Sequence, residues 1–237
     1  MTEILPYWAY IPNFWGDHSS NFSYEKILEE IKGDLGQGSV SVYGNTFQES
    51  RLTCFYSLYD SSDNMIMSYS GRTLAPKLPL PGTIIQNLLN MFQSPEFFDT
   101  LKGSYPDLTD CFQDSNRPNA VFINWYRPTS MTSKPDGIGY HSDDETDHES
   151  DVIFSATFCP EGGERIFRFR DKNATKGFVW QKDLENGSML IMRHGCQKMY
   201  KHSIGLLVKN LAGQRLDDKG RINITFRRIK LVKPLTR

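Results

Sequence analysis

The sequence predicts a mainly β protein of the α+β class, a double-stranded β-helix (jelly-roll) barrel buttressed by helices near the N-terminus. Three observations carry that expectation. Helical periodicity is confined to two stretches before residue 95, strand-like runs separated by turn-rich segments dominate from Asn119 onward, and no Gly/Ser or Pro tract divides the chain.

The elements follow in order. The first twenty residues, with Trp8, Phe14 and Trp15, read as an aromatic arm packed on the domain. Ser23 is a suitable N-cap for a helix over Tyr24 to Lys32, in which Ile27, Leu28 and Ile31 share a face and Gly33 closes the turn. Three β runs come next, Ser39 to Tyr43, Leu52 to Leu58 and Met65 to Tyr69, punctuated by Gly44, Ser61-Ser62-Asp63 and Gly71. After Pro81-Gly82 a second helix carries Ile84, Ile85, Leu88, Leu89 and Phe92 as an apolar stripe, and Ser94-Pro95 ends it. The later strands are Ala120 to Tyr126, Val152 to Phe158, Arg165 to Arg170, Ser188 to Met192 and Arg221 to Ile229. Turn-rich segments such as Thr129 to Gly139 and Glu161-Gly162-Gly163 separate them. Residues 1–118 hold the arm, helices and hairpins, residues 119–237 hold the barrel, and the whole forms one domain.

Composition narrows the class. The 237 residues are 38% hydrophobic and 23% charged, enough for a substantial core and too apolar for a disordered chain. A net charge of -1 neither announces nor excludes a nucleic-acid partner, because phosphate binding depends on a local basic face. Arg165, Arg168, Arg170, Lys172 and Lys176 could form one such face, as could Arg227, Arg228, Lys230, Lys233 and Arg237; scattered solvated charge explains either cluster equally well. Cys54, Cys111, Cys159 and Cys196 are widely spaced, without the Cys-x-x-Cys pair of a zinc or redox site. Met1-Thr2-Glu3-Ile4 lacks the basic start of a secretory signal, and no apolar run approaches membrane-spanning length, so an intracellular, soluble monomer with no membrane association is expected.

The chemistry concentrates late in the chain. On a strand, Arg221, Asn223, Thr225 and Arg227 share one face while Ile222, Ile224 and Phe226 share the other, so one face can hold an anion. Arginine suits a carboxylate because its planar fork makes two parallel charge-assisted hydrogen bonds. His141 and Asp143, two residues apart, point the same way on a strand, and a distant His202, which opens an apolar run readable as the matching barrel strand, could complete a set of two histidines and one carboxylate. Such a set holds Fe(II) on one side and leaves positions open. Of the other histidines, His148 lies in the acidic loop Asp144 to Asp151 and reads as solvent exposed, His194 sits at a Met-Arg-His-Gly turn, and His18 is a lone histidine of the surface or core kind. In the strand before this set, Asn124 and Tyr126 share a face; they suit a carboxylate ligand or an ordinary half-exposed strand equally.

Taken jointly, Asn124-x-Tyr126, His141-x-Asp143-x-Glu145, His202 and Arg221-x-Asn223-x-Thr225-x-Arg227 resemble the AlkB family of iron(II)- and 2-oxoglutarate-dependent dioxygenases over residues 119 to 229. The resemblance implies that His141, Asp143 and His202 hold Fe(II) and that Arg221 pairs with the distal carboxylate of 2-oxoglutarate. Asn124, Tyr126, Asn223, Thr225 and Arg227 would complete the co-substrate site, with O2 as oxidant. Upstream, Val42-Tyr43-Gly44 with Arg51, and Met67-Ser68-Tyr69-Ser70-Gly71, look like the nucleotide-recognition hairpins of the branch that repairs double-stranded DNA. By that likeness Tyr43 wedges into the base stack, Arg51 supports it, Tyr69 stacks on an extruded base, and Asp144 and Glu145 face its positive charge. Met67 replaces an aromatic and Ser50 a proline in that pattern, which bears on base selectivity. The implied activity is oxidative demethylation of 1-methyladenine and 3-methylcytosine in DNA, with release of formaldehyde, succinate and carbon dioxide, in the nucleus if the source is eukaryotic. The alternatives are the same chemistry on RNA or protein, or a non-catalytic DNA-binding module.

Overall fold

Apolar stripes at helical and strand spacing settle into two antiparallel sheets, with the helices against the outer face of the larger. The structure is a computed structural model that describes residues 1–16, 21–42, 45–59, 67–69, 72–143, 149–205 and 219–230, with backbone alone at 40–42, 45, 67–69, 72 and 73. In the first half come β1 (Glu3–Ile4), β2 (Trp8–Ile11), α1 (Tyr24–Ile31), β3 (Gly36–Val42), β4 (Asn45–Ser57), β5 (Met67–Tyr69), β6 (Arg72–Leu74), α2 (Ile84–Gln93) and α3 (Pro95–Ser104). The second half holds β7 (Ala120–Tyr126), β8 (Ile138–His141), β9 (Ile153–Phe158), β10 (Arg165–Asp171) and β11 (Trp180–Leu184). It ends with β12 (Met189–Met192), α4 (Cys196–Met199), β13 (Tyr200–Gly205) and β14 (Arg221–Arg227).

The large sheet runs β1-β2-β12-β9-β14-β7-β4-β3 and the small sheet β11-β10-β13-β8, while β5 pairs with β6 alone. This is the jelly roll predicted from the strand pattern. Alternation along β14 decides which residues go where. Ile222, Ile224 and Phe226 join Ile27, Leu88 and Phe92 in the core between the large sheet and the helices, where Phe92 stacks on Phe226 at 4.2 Å between ring centroids. Emptying such a site, as in Phe92→Ala, costs roughly 3–5 kcal/mol. A second core, including Trp8, Tyr126, Phe167 and Phe169, lies between the sheets.

Three departures from the sequence reading have physical causes. The aromatic arm is in part a strand: β2 pairs with β12, with Trp8 opposite Met192 and Ile11 opposite Met189. All four β2 residues are buried, so no polar alternation marks it. Ser94-Pro95 ends α2 but also starts α3, because the Ser94 hydroxyl accepts the Phe97 N–H and proline is well tolerated in a first helical turn. The segment Thr129 to Gly139, read as turns, enters β8 at Ile138, and β11 was not anticipated at all. Strands β2, β3 and β4 lie in the same sheet as β7, β9, β12 and β14.

Candidate metal centre and its anion cleft

Neighbouring strands of the small sheet present two imidazoles to the interior. His141 ends β8, His202 lies in β13, and the two are cross-strand partners with rings 4.2 Å apart. Asp143 sits just past β8, buried, with one carboxylate oxygen 3.6 Å from His141 Nε2 and the other 3.6 Å from His202 Nε2. Ligand atoms of all three lie within 4.8 Å of one another. These separations are too long for hydrogen bonds and suit a coordination shell, in which bonds of about 2.1 Å hold neighbouring donor atoms roughly 3 Å apart or slightly more.

The protonation states fit a cation. His141 Nδ1 lies 2.9 Å from the Gly139 carbonyl, and a carbonyl can only accept, so Nδ1 donates there and Nε2 is the nitrogen turned toward Asp143. Burial, reinforced by the neighbouring His141, pushes His202 down to about 3, so its ring is a neutral donor at physiological pH. Two imidazoles and one carboxylate suit Fe(II) with open positions.

The polar face of β14 continues the site. Arg221 is fully buried; its Nη2 donates to Thr157 Oγ1 at 2.8 Å, and among the described residues its Nε and Nη1 have no partner. Burial pulls this guanidinium down to about 10. A charged fork taken out of water with unused donors is costly, and an incoming carboxylate would relieve that cost. Tyr126, the cross-strand partner of Arg221, has its ring 5.6 Å from the guanidinium. Arg227, at the other end of β14, donates from Nη2 to Asp143 Oδ2 at 2.6 Å.

A cleft of about 400 Å³, mouth included, connects these groups; Asn124, Tyr126, His141, Asp143, His202 and Arg227 are among its walls. Arg221 is not among the lining residues, although its cross-strand partner Tyr126 is. Asn223 and Thr225 also line the cleft but are engaged with the sheet. Asn223 Nδ2 donates to Ser155 Oγ at 2.8 Å and to the Ala156 carbonyl at 3.0 Å, while Thr225 Oγ1 donates to the Phe122 carbonyl at 3.0 Å.

The substrate-side candidates divide. Arg51 is buried in β4, where its Nε donates to Asn124 Oδ1 at 2.6 Å and its Nη2 pairs with Glu49 at 3.1 Å. It also lines the cleft. Tyr69 opposes Arg72 in the β5–β6 pair, and its side chain lies outside the described atoms. Tyr43, Asp144 and Glu145, like His18 and His148, fall outside the described residues.

The basic cluster near residue 170 needs correction at Arg165. That side chain is buried, donating to the carbonyls of Asp136 and Arg127, so it braces a loop and cannot reach a phosphate. Its strand neighbours Phe167 and Phe169 also point between the sheets, which turns Arg168 and Arg170 outward.

Sequence reasoning missed Ser155 and Thr157, the hydroxyls that hold Asn223 and Arg221. Their signal was present, since they alternate with Phe154, Ala156 and Phe158 in an otherwise apolar run. Phe167, whose ring stacks on His202 at 5.4 Å, and Gln197, whose amide oxygen accepts the Asp143 N–H, carried no local signal.

Comparison with known proteins places the chain in a family. The family model described as the 2OG-Fe(II) oxygenase superfamily matches residues 9–227. The structure of OsALKBH1 is similar in fold, with a TM-score of 0.54 and 19% identity, covering 95% of this chain and 100% of that one. An oxidoreductase of the 2OG-Fe(II) oxygenase family from Burkholderia pseudomallei gives a TM-score of 0.49 at 10% identity, covering 93% and 84%. No curated protein matches the chain.

Proposed function

We propose that this chain, which belongs to the 2OG-Fe(II) oxygenase superfamily, is an AlkB-type demethylase of alkylated bases in nucleic acid, with double-stranded DNA carrying 1-methyladenine or 3-methylcytosine as substrate. It is a dioxygenase that uses Fe(II), 2-oxoglutarate and O2. When bound, the iron couples oxidation of 2-oxoglutarate by O2, giving succinate and carbon dioxide, to hydroxylation of the substrate methyl group. The resulting N-hydroxymethyl base then loses formaldehyde and regains its normal form.

The observation that carries the reading is the joint placement of the His141, Asp143 and His202 donors and the buried, part-satisfied Arg221 along one barrel interior. In it, His141, Asp143 and His202 hold the metal, Arg221 grips the distal carboxylate of the co-substrate, and Asn124 and Tyr126 orient its nearer oxygens. Arg51 holds the Asn124 carbonyl, which leaves the Asn124 amide protons for the cleft. Arg227 neutralises Asp143 until the cation does so.

The outer face of the small sheet favours a polyanionic substrate. Arg170 and Lys201 are direct cross-strand partners, an arrangement that costs stability unless an anion lies over it. The Arg170 guanidinium lies 3.8 Å from the Tyr140 ring centroid and that of Arg168 lies 5.9 Å from Phe178, giving cations interleaved with aromatic planes. A base inside a duplex cannot reach a buried metal, so it must be extruded, at a cost of a few kcal/mol that is smaller where methylation already blocks pairing.

The test is product mass spectrometry and formaldehyde release on methylated duplex DNA, single-stranded DNA and RNA. Lesion-dependent succinate formation greatest on duplex DNA is expected. Turnover indifferent to every methylated oligonucleotide would move the substrate to protein or another class.

A further inference from the structure

The short helix α4 carries a buried amide that the reading above leaves unused. Gly195, at φ 80°, occupies the left-handed region and turns the chain into α4, with its N–H donating to Asp151 Oδ2 at 2.9 Å. The turn delivers Gln197 inward, to 2% exposure. There its Oε1 accepts the backbone N–H of Asp143 at 2.9 Å, and its Nε2 faces Met192 Sδ at 3.1 Å, a side chain that lines the cleft. Lys172 Nζ holds the Gln197 carbonyl at 3.1 Å, and Ser142 Oγ donates to the Tyr200 carbonyl at 3.1 Å. The segment bearing Asp143 is thus stitched to α4, which runs straight into β13 and His202.

We infer that Gln197 is a positioning residue of the metal centre, whose amide oxygen holds the Asp143 backbone so that its carboxylate stands between the two imidazoles. The inference rests on His141, Asp143 and His202 being metal ligands. Asp143 lies past the end of β8, so its N–H is held by a side chain, that of Gln197. A buried N–H requires an acceptor, and Gln197 supplies it without charge. Meanwhile Arg227 pulls on the carboxylate from one side at 2.6 Å. Removing the Gln197 acceptor takes away the partner of the Asp143 N–H, and a shift of that main chain toward the guanidinium opens the distance to His141. Groups that orient metal ligands in this way typically contribute roughly 10- to 100-fold to metal affinity.

Two variants of the full chain separate this role from simple packing. Gln197→Met keeps the shape and loses the acceptor; Gln197→Glu keeps the acceptor. Titration with Co(II), followed by its visible ligand-field absorption, should show affinity falling roughly 10- to 100-fold in the Met variant, with an altered band shape. The Glu variant should remain within about threefold of wild type, since the same bond is retained. Unchanged Co(II) affinity in the Met variant, or equal losses in both, overturns the inference. If the Met variant does not fold, Gln197→Asn, whose shorter amide cannot reach the Asp143 N–H, takes its place: a loss of Co(II) affinity of about tenfold supports the role and unchanged affinity refutes it. Asp143→Ala is the control for the underlying reading, because Co(II) binding equal to wild type in that variant would reject the metal centre itself, whatever Gln197 does.

Discussion

Arg221 and Arg227 stand on the same face of β14, six residues apart and both buried, yet their guanidiniums are in opposite circumstances. Arg227 has an internal counter-charge, Asp143, at 2.6 Å. Arg221 has one hydroxyl, Thr157, and two donors without a partner among the described residues. The contrast teaches how one strand serves two ends of a reaction. At one end the charge is balanced within the protein; at the other, on the function proposed above, the balance would be left to the co-substrate carboxylate.

Asp143→Ala tests the balanced end most severely. It removes a metal ligand and the partner of Arg227, and succinate formation should fall at least about 1,000-fold with loss of Co(II) binding. Next in size is Arg227→Met. Breaking a buried ion pair from one side should destabilise the metal-free protein by roughly 3–5 kcal/mol in urea unfolding. Saturating Co(II) should recover part of that loss, because the cation takes over the role of the guanidinium at Asp143. Absence of any recovery would mean that the pair is purely structural.

The open end should respond differently. Arg221→Met should weaken 2-oxoglutarate binding roughly 10- to 100-fold, the worth of a charge-assisted bond of about 1.5–3 kcal/mol, while Co(II) binding without co-substrate stays as in wild type. Equal co-substrate affinity would erase the distinction between the two arginines. Thr157→Val is the mildest probe. It removes only the hydroxyl that steers Arg221, and the KM for 2-oxoglutarate should rise about fivefold with kcat little changed, as expected for one hydrogen bond of about 1 kcal/mol.

How far the site could be read in advance depends on where each signal sits. Period-two alternation in β14 placed Arg221, Asn223, Thr225 and Arg227 on one face, and the jelly roll puts them on the barrel side. Arg165 shows the limit: beside Arg168 and Arg170 it looked like surface charge, but strand parity sends it inward with Phe167 and Phe169. β2 escaped because burial on both faces erases alternation, and Ser94-Pro95 misled because a helix stop and a helix start use the same residues.

The order of residues along the chain determined which strands form, which face each side chain takes and that histidine, carboxylate and arginine groups suited to iron and a dicarboxylate are present. Those are local properties, set by pleat, helical pitch and side-chain chemistry. Only the tertiary structure decided that β8 and β13 pair in the register that sets His141 opposite His202, that Gln197 braces Asp143 across 54 positions, and that one arginine is neutralised while the other waits. Such relations join residues far apart in the chain, and no repeat or spacing records them, because they come from how the sheets close on each other.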